Sequence, residues 1–415
     1  MSLADDSPKP ASSPPSLLRH RSFVLLWCAR TFTTAAFQMQ AVAVGWQLYD
    51  MTNNPLDLGI VGLVQFVPLV ALSVVIGHIA DRYDRRAVAR TCQIVKALAA
   101  AALAVGTVGG WLTREAFFTI LFFAGTTRAF EMPVMHALVP GIVPPRMLPR
   151  AIAAAASAQH TAIICGPAIG GLVYFFGPMA VYATCTAIFI GAAVLVSLMH
   201  VGAAKQDKTP ISLETLLAGF NYIRKGQVLL GVISLDLFAV LLGGVTALLP
   251  IYARDVLATG PWGLGLLRSA PAVGALLMSV FLTRYSITHR AGRWLFASVA
   301  AYGVAITAFG LSTWLVVSLV ALAAYGAADA ISVVIRHSLV QSRTPNEMLG
   351  RVMSVNSMFT GTSGTLGEFR AGLMASWWGA VPAVVIGGVG AIAVTFVWMR
   401  LFPELPRIDK LIADR

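Results

Sequence analysis

The sequence predicts an all-α membrane protein of twelve transmembrane helices, arranged as two parallel six-helix repeats. Three observations lead there. The composition is 57% hydrophobic and only 12% charged, with mean hydropathy +0.77, roughly half the charge that a soluble chain carries. Apolar runs long enough to span lipid recur along the whole chain. A segment of fifteen residues also returns 201 positions later.

A hydrocarbon core about 30 Å thick needs roughly 20 apolar residues, because a helix rises about 1.5 Å per residue. Such runs lie near 22–49, 57–79, 87–110, 115–139, 151–175, 178–200, 227–252, 264–284, 292–311, 314–339, 352–377 and 381–401. They are continuously apolar rather than alternating, which selects helices over a barrel. The first residues, MSLADDSPKPASSPPSLLRHRS, are polar, rich in Pro and Ser, and have no signal-peptide core. Residues 1–21 are therefore expected to be a disordered cytoplasmic tail. Residues 22–200 and 227–401 would form the two bundles, 201–226 a cytoplasmic linker and 402–415 a second tail.

A net charge of +12 invites a nucleic-acid reading, but its placement argues against one. Of 30 Lys and Arg, 22 fall in the two termini and every second loop, including Arg82, Arg85, Arg86 and Arg90, Arg146 and Arg150, and Arg284, Arg290 and Arg293. The opposite loops carry two, Arg114 and Arg254, and the remaining six are within the runs. This is the positive-inside bias, so both termini should be cytoplasmic, with the basic loops near anionic lipid. No nucleic-acid partner is expected.

Cys28, Cys92, Cys165 and Cys185 stand in or beside apolar runs at unrelated spacings. That pattern suits packing better than disulfides or metal ligation. No metal or cofactor is expected. No G-x-x-x-x-G-K-[ST] loop occurs, so an ion gradient would have to drive any work. The absence of a Ser/His/Asp or Cys/His constellation argues against an enzyme.

The repeat aligns HALVPGIVPPRMLPR at 136–150 with HSLVQSRTPNEMLGR at 337–351, seven of fifteen positions being identical. The same offset carries Gly166 onto Gly367 and Gly171 onto Gly372. An even number of runs separates the copies, so they share one orientation and an axis along the membrane normal. His136 and His337 hold equivalent places, as interfacial hydrogen-bonding residues or pH sensors. Between the halves, SLETLLAGFNYIRK reads as an amphipathic helix at the cytoplasmic surface.

After the second run the chain reads G-H-I-A-D-R-Y-D-R-R, from Gly77 through Asp81, Arg82, Asp84 and Arg85 to Arg86. A solvated anchor at the headgroups would explain the arginines but not Asp81, an acid ahead of a basic cluster. The segment resembles the signature loop of the major facilitator superfamily, G-x-x-x-D-R-x-G-R-R, with Asp84 in place of the second glycine. The resemblance implies a cytoplasmic gate built from Gly77, Asp81, Arg82, Arg85 and Arg86, partly through contact with a helix N-terminus of the other half. In the second half, TRYSITHRAGR at 283–293 keeps basic residues but has no matching acid.

The fifth run contains Gly166, Pro167, Gly170 and Gly171, small residues that let helices approach closely and a proline that bends the helix. It resembles the exporter motif of the same superfamily, G-x-x-x-G-P-x-x-G-G, with Ala162 at the first glycine. Export is thereby favoured over uptake. The counterpart in the eleventh run has Glu368 where the proline would be.

Charges inside spans are costly and usually face a cavity or a partner. The fourth run has Arg128 and Glu131, three apart and so on one face; Arg128 matches an arginine that the family resemblance links to proton movement, with Met132 at a glycine position. The seventh run has Asp236 near a membrane boundary. The tenth has Asp329 and Arg336 on one face, and the eleventh has Glu368 and Arg370. Static salt bridges could account for any one pair. As a set, the buried acids suggest proton coupling, with Glu368 and Glu131 the first choices and a mobile Arg128 or Arg370 as the switch. The first run presents Arg30, Thr34 and Gln38 at steps of four, and these with Arg268 are the substrate-binding candidates. Arg268 and Arg336 could equally serve an anionic substrate.

Segments 235–257, 260–277 and 344–359 are similar to the superfamily branch that includes the bacterial enterobactin exporters. That branch often has an acid where Arg370 stands. The resemblance implies a monomeric, multi-pass carrier of the bacterial inner membrane, exporting a drug-like or siderophore-like solute in exchange for protons. The alternatives are a proton-coupled importer and a non-transporting sensor or assembly protein.

Overall fold

The computed structural model describes residues 17–72, 83–200, 213–285, 287 and 289–409. Gly77, Asp81 and Arg82 of the gate loop, residues 1–16, 201–212 and 410–415, and the side chain of His136 lie outside the described residues.

The chain is helical from end to end: α1 (Arg21–Thr52), α2 (Pro55–Ala71), α3 (Arg85–Gly109), α4 (Arg114–Leu138), α5 (Leu148–Val173), α6 (Pro178–Ser197), α7 (Leu213–Lys225), α8 (Gln227–Gly243), α9 (Gly260–Arg284), α10 (Ala291–Leu311), α11 (Leu315–Arg343), α12 (Asn346–Trp378) and α13 (Ala380–Leu401). After α8, short helical turns continue to a π-turn at Tyr252–Val256. Among the described residues eight helices are long and apolar enough to cross a membrane: α3, α5, α6, α8 with its continuation, α9, α10, α11 and α13. Helices α1, α4 and α12 span 32, 25 and 33 residues and are more polar. They are the helices that carry Gln38, Arg128 and Glu368.

Helix ends follow local chemistry. Asn54 accepts a hydrogen bond from the Leu56 amide at 3.1 Å, with Pro55 opening α2. Asp84 caps α3 by accepting from the Arg86 amide at 3.0 Å. The acid that replaces a glycine in the gate loop therefore starts a helix. Gly177 and Gly379, at φ 94° and 87°, turn the chain at corresponding corners. Each follows an exposed aromatic pair, Phe175–Phe176 and Trp377–Trp378, the residue type that settles at a membrane–water boundary.

Helices α1 to α6 pack chiefly on one another, around a core that includes Leu48, Leu103, Phe117 and Tyr182. Helices α8 to α13 do the same around clusters that include Leu264, Phe309 and Leu295. Two contacts join the groups most closely, α2 with α12 and α5 with α9. Gly166 rests on Ala35 and Gln38 of α1, while Gly367 rests on Val240 and Leu241 of α8. Gly171 abuts Pro261 and Trp262 of α9, while Gly372 abuts Gly59 of α2. The two copies of the repeat differ where Gln341 and Ser342 replace Pro140 and Gly141. Without that proline α11 runs on to Arg343, whereas α4 stops at Leu138 and gives way to short turns.

The amphipathic segment forms α7 and lies on α12 and α8. Gly219 sits so close to the Arg351 carbonyl that a methyl group would collide, and Ile223 is buried with Val352 and Val355. Residues 402–409 of the expected tail pack against the helices. Leu405 and Ile408 are buried against α10, and the Ala291 and Gly292 amides donate to the carbonyls of Asp409 and Ile408, both at 3.0 Å. The Asp409 carboxylate accepts from the Arg290 amide at 2.9 Å and lies 3.1 Å from His289 Nδ1. The His289 hydrogen bond, then that from Arg290, hold this carboxyl below the usual aspartate range. The acid missing from the 283–293 loop is thus supplied by the far end of the chain.

Candidate functional site

A cavity of about 280 Å³ lies between the two groups of helices. From α1 it receives Phe37, Gln38 and Gln40, from α2 Gln65, from α3 Lys96 and from α4 Arg128. The later half contributes Thr246, Ala247, Arg268 of α9 and Glu368 of α12. Arg128 covers the Phe37 ring at 4.7 Å, a cation–π arrangement that leaves its N–H edge for other partners. Arg268 Nε is buried and has no hydrogen-bond partner among the described residues. Among the described residues Glu368 is the one carboxylate lining the cavity, and it interacts electrostatically with both Arg128 and Arg268.

Lys96 is not a free cation. It pairs with Glu131, which also accepts from Gln93 Nε2 at 2.5 Å, and Thr33 donates to Gln93 Oε1 at 3.1 Å. Glu131 therefore sits behind the cavity wall in a neutral pair.

One end of the cavity is sealed. Tyr49 donates to Asp255 Oδ2 at 2.5 Å, and Arg254 donates to the Tyr49 carbonyl at 3.2 Å while lying 3.6 Å from Asp50. The Gly59–Gly372 and Gly171–Pro261 contacts close the same end, and Ser269 donates to the Ile164 carbonyl at 2.6 Å nearer the middle. The basic loops lie towards the other end. Ile152, Thr161 and Met358 are exposed there, and a side chain added at Gly361 or Gly364 would meet nothing within 4 Å.

The family model described as transmembrane secretion effector matches residues 12–414, nearly the whole chain. The chain belongs to this family of the major facilitator superfamily. Its relatives include the enterobactin exporter EntS of Citrobacter koseri, 25% identical over 399 residues and covering 94% of each chain. Macrolide efflux protein A of Streptococcus pyogenes is 22% identical over 411 residues, covering 93% of this chain and 97% of that one. Among solved structures, the nucleoside transporter NupG (D323A mutant) aligns with TM-score 0.74 at 15% identity, covering 92% of this chain and 100% of that one. An inward-facing bacterial homologue of the human lysosomal transporter Spinster aligns with TM-score 0.73 at 14% identity, covering 95% and 99%. These place the protein among multi-pass membrane transporters of this superfamily.

Within this transporter fold the predicted residues separate. Gln38, Arg128, Arg268 and Glu368 meet at the cavity. Arg30 and Thr34 do not: Arg30 donates to Gln159 Oε1 at 2.6 Å in a groove near the open end, and Thr34 donates to the Arg30 carbonyl. The expected one-face pairs are replaced by pairs between helices. Glu131 binds Lys96 rather than Arg128, and Arg336 binds Asp236 of α8 rather than Asp329. Asp236 is buried. Arg370 turns from Glu368 and donates to the Leu242 carbonyl, with Nη1 3.0 Å from Met374 Sδ. Arg86 donates to the Ser197 carbonyl at the end of α6, inside its own half, and not to a helix N-terminus across the gap. Gly166 and Gly170 face α1, while Pro167 and Gly171 face α9.

Sequence reasoning missed Lys96, Gln93, Gln65, Tyr49 and Asp255. Lys96 and the glutamines were visible as polar residues within apolar runs. The Tyr49–Asp255 contact left no trace, because it joins the last turns of α1 to the π-turn 206 positions away.

Proposed function

We propose that the protein exports a small organic solute, drug-like or siderophore-like, by alternating access in exchange for protons. The observation that carries this is the cavity between the halves, sealed at one end and open at the basic end. In this reading α1–α6 and α8–α13 are twelve membrane spans in two parallel repeats, and α7 belongs to the linker. The equivalent contacts of Gly166 with Gly367, and of Gly171 with Gly372, support the repeat. The basic end is cytoplasmic by the positive-inside rule, so both termini face the cytoplasm and the state is inward-facing. The protein works as a monomer in the bacterial inner membrane.

Glu368 is the proton carrier. Arg268 shares its half, but Arg128 comes from the other, so rocking of the halves changes the company that Glu368 keeps. In the inward-facing state both guanidinium groups favour the carboxylate, and its proton leaves to the cytoplasm. Swinging outward withdraws Arg128, and the less compensated carboxylate takes a proton from outside. A solute whose donors bind the bare carboxylate competes with that proton, which is the requirement for exchange. The names of the relatives, an enterobactin exporter and a macrolide efflux protein, favour the outward direction. The Gly166–Gly171 segment holds α5 to both α1 and α9, where it acts as the pivot. Asp81, Arg82, Arg85 and Arg86 would close the cytoplasmic end in the opposite state.

Metabolite profiles of cells with and without the protein would name the solute. Everted vesicles respiring to an acid interior should then accumulate it. Loss of solute on energisation would reverse the direction and sink the proposal.

A further inference from the structure

We propose that the solute crosses as an organic anion: a hydroxy acid with an apolar body, whose carboxylate is held by Arg268 and Arg128. This rests on the reading above that the cavity is where the solute sits; the direction of transport does not enter.

Charge decides the class. Lys96 cancels against Glu131. The other charged side chains lining the cavity, among the described residues, are Arg128, Arg268 and Glu368, two positive and one negative. Behind the wall Asp236 pairs with Arg336, and Asp329 and Arg370 act on Tyr302 with opposite signs. The cavity therefore keeps a surplus of one positive charge, and about two turns along α1 the groove at Arg30 adds another cation. Unbalanced charge inside the membrane is costly. A solute with one negative charge removes the surplus. A neutral solute leaves it, and a cation doubles it.

The geometry gives the anion its partners. Among the described residues neither Arg128 nor Arg268 makes a hydrogen bond or an ion pair; Arg128 is held over the Phe37 ring, and Arg268 Nε is buried. A guanidinium presents its donors as a planar fork that matches both oxygens of a carboxylate. Gly45 of α1 makes room for Arg268, since a Cβ there would lie 3.8 Å from its Nη2. Glu368 faces a different helix, its Oε2 standing 3.0 Å from where a Cβ of Gly62 on α2 would be. A hydroxyl on the solute supplies the donor that the bare Glu368 requires. Val44, Leu58, Val61, Leu121 and Phe189 form the apolar side of the cavity and receive the body.

Mandelate, mandelamide and phenylethanolamine share a phenyl ring and a hydroxyl, and at neutral pH they are anionic, neutral and cationic. Each is added in millimolar excess, at equal ionic strength, to the purified full-length protein in lipid. A compound that binds the folded state raises the unfolding temperature. Mandelate should raise it by several degrees, and the other two should leave it unchanged. Arg268→Gln and Arg128→Gln should each remove most of the mandelate shift, and either variant that folds suffices. Equal shifts from the three compounds, none included, or a larger one from phenylethanolamine, overturn the inference. So does a mandelate shift that survives both substitutions. Ion-exchange separation of the metabolites that differ between cells with and without the protein tests class and direction apart. An anion that accumulates in cells lacking the protein supports both. An anion depleted from those cells overturns export alone, and a neutral or cationic solute overturns this inference.

Discussion

Tyr49 and Asp255 meet across the sealed end of the cavity, the phenol of one half donating to the carboxylate of the other at 2.5 Å. A hydrogen bond to a charged group contributes about 1.5–3 kcal/mol, enough to shift a conformational equilibrium by roughly tenfold or more. Tyr49→Phe and Asp255→Asn should therefore depopulate the state that is sealed at this end. A cysteine at Gly361, where the open end has space for a side chain, gives the readout. Its alkylation rate should fall several-fold in either variant. Equal rates in all three backgrounds would show that the contact does not hold the gate.

Glu368→Gln should abolish coupling to the pH gradient while retaining solute exchange between equal pools. The carboxamide keeps the shape and the hydrogen-bonding edge but cannot titrate. Exchange should then lose its dependence on pH. A pH profile like that of the wild type would remove Glu368 from the proton path.

Lys96→Met removes the ion-pair partner of Glu131 and leaves the carboxylate with the Gln93 amide. Breaking a buried pair on one side typically costs about 3–5 kcal/mol, so the single variant should unfold at markedly lower temperature in detergent. Adding Glu131→Gln should restore most of the loss. If the double variant is as unstable as the single one, the pair is not what stabilises the α3–α4 contact.

A Cβ at Gly171 would stand 2.6 Å from the Pro261 carbonyl oxygen. Gly171→Ala must push α5 from α9, at a cost of about 1–3 kcal/mol for overpacking. The same cysteine at Gly361 should become less reactive, because the sealed end is what loses contact. Gly361→Ala, by contrast, should leave thermal stability unchanged.

The clamp at Asp409 has a defined pH direction. Its carboxyl is held below the ordinary value by His289 and the Arg290 amide, so docking of 402–409 is favoured above the ordinary aspartate range. It is lost as pH falls through the lowered value. Hydrogen exchange at the Ala291 and Gly292 amides should accelerate below that point. Asp409→Asn should exchange faster already at neutral pH, and identical exchange in both proteins would count against the clamp.

Helix positions were legible because membrane length and apolar runs constrain them directly, and the fifteen-residue match stands out in the sequence because its His, Pro and Arg identities are chemically specific. Partner choice was not. Arg128 with Glu131, and Asp329 with Arg336, share helical faces at spacings that suit a pair. Each ion instead found a closer counter-charge on a neighbouring helix, Lys96 or Asp236, and spacing along one helix carries no information about its neighbours. Arg370 was read beside Glu368 because they stand two positions apart in sequence. On a helix that spacing sends the side chains to different faces, one to the cavity and one to the Leu242 carbonyl.

The polarity of α1, α4 and α12 bears on how the chain is assembled. Each charged side chain at a helix centre opposes partitioning into the bilayer by about 2.5–3.5 kcal/mol. Glu131 can enter with Lys96 as a neutral hairpin, since α3 and α4 are consecutive. Asp236 must wait for Arg336, a hundred residues later on the ribosome. The apolar bulk of α8 and its continuation, with mean hydropathy 2.4, offsets that cost, so α8 can hold its place in the bilayer until α11 has been made.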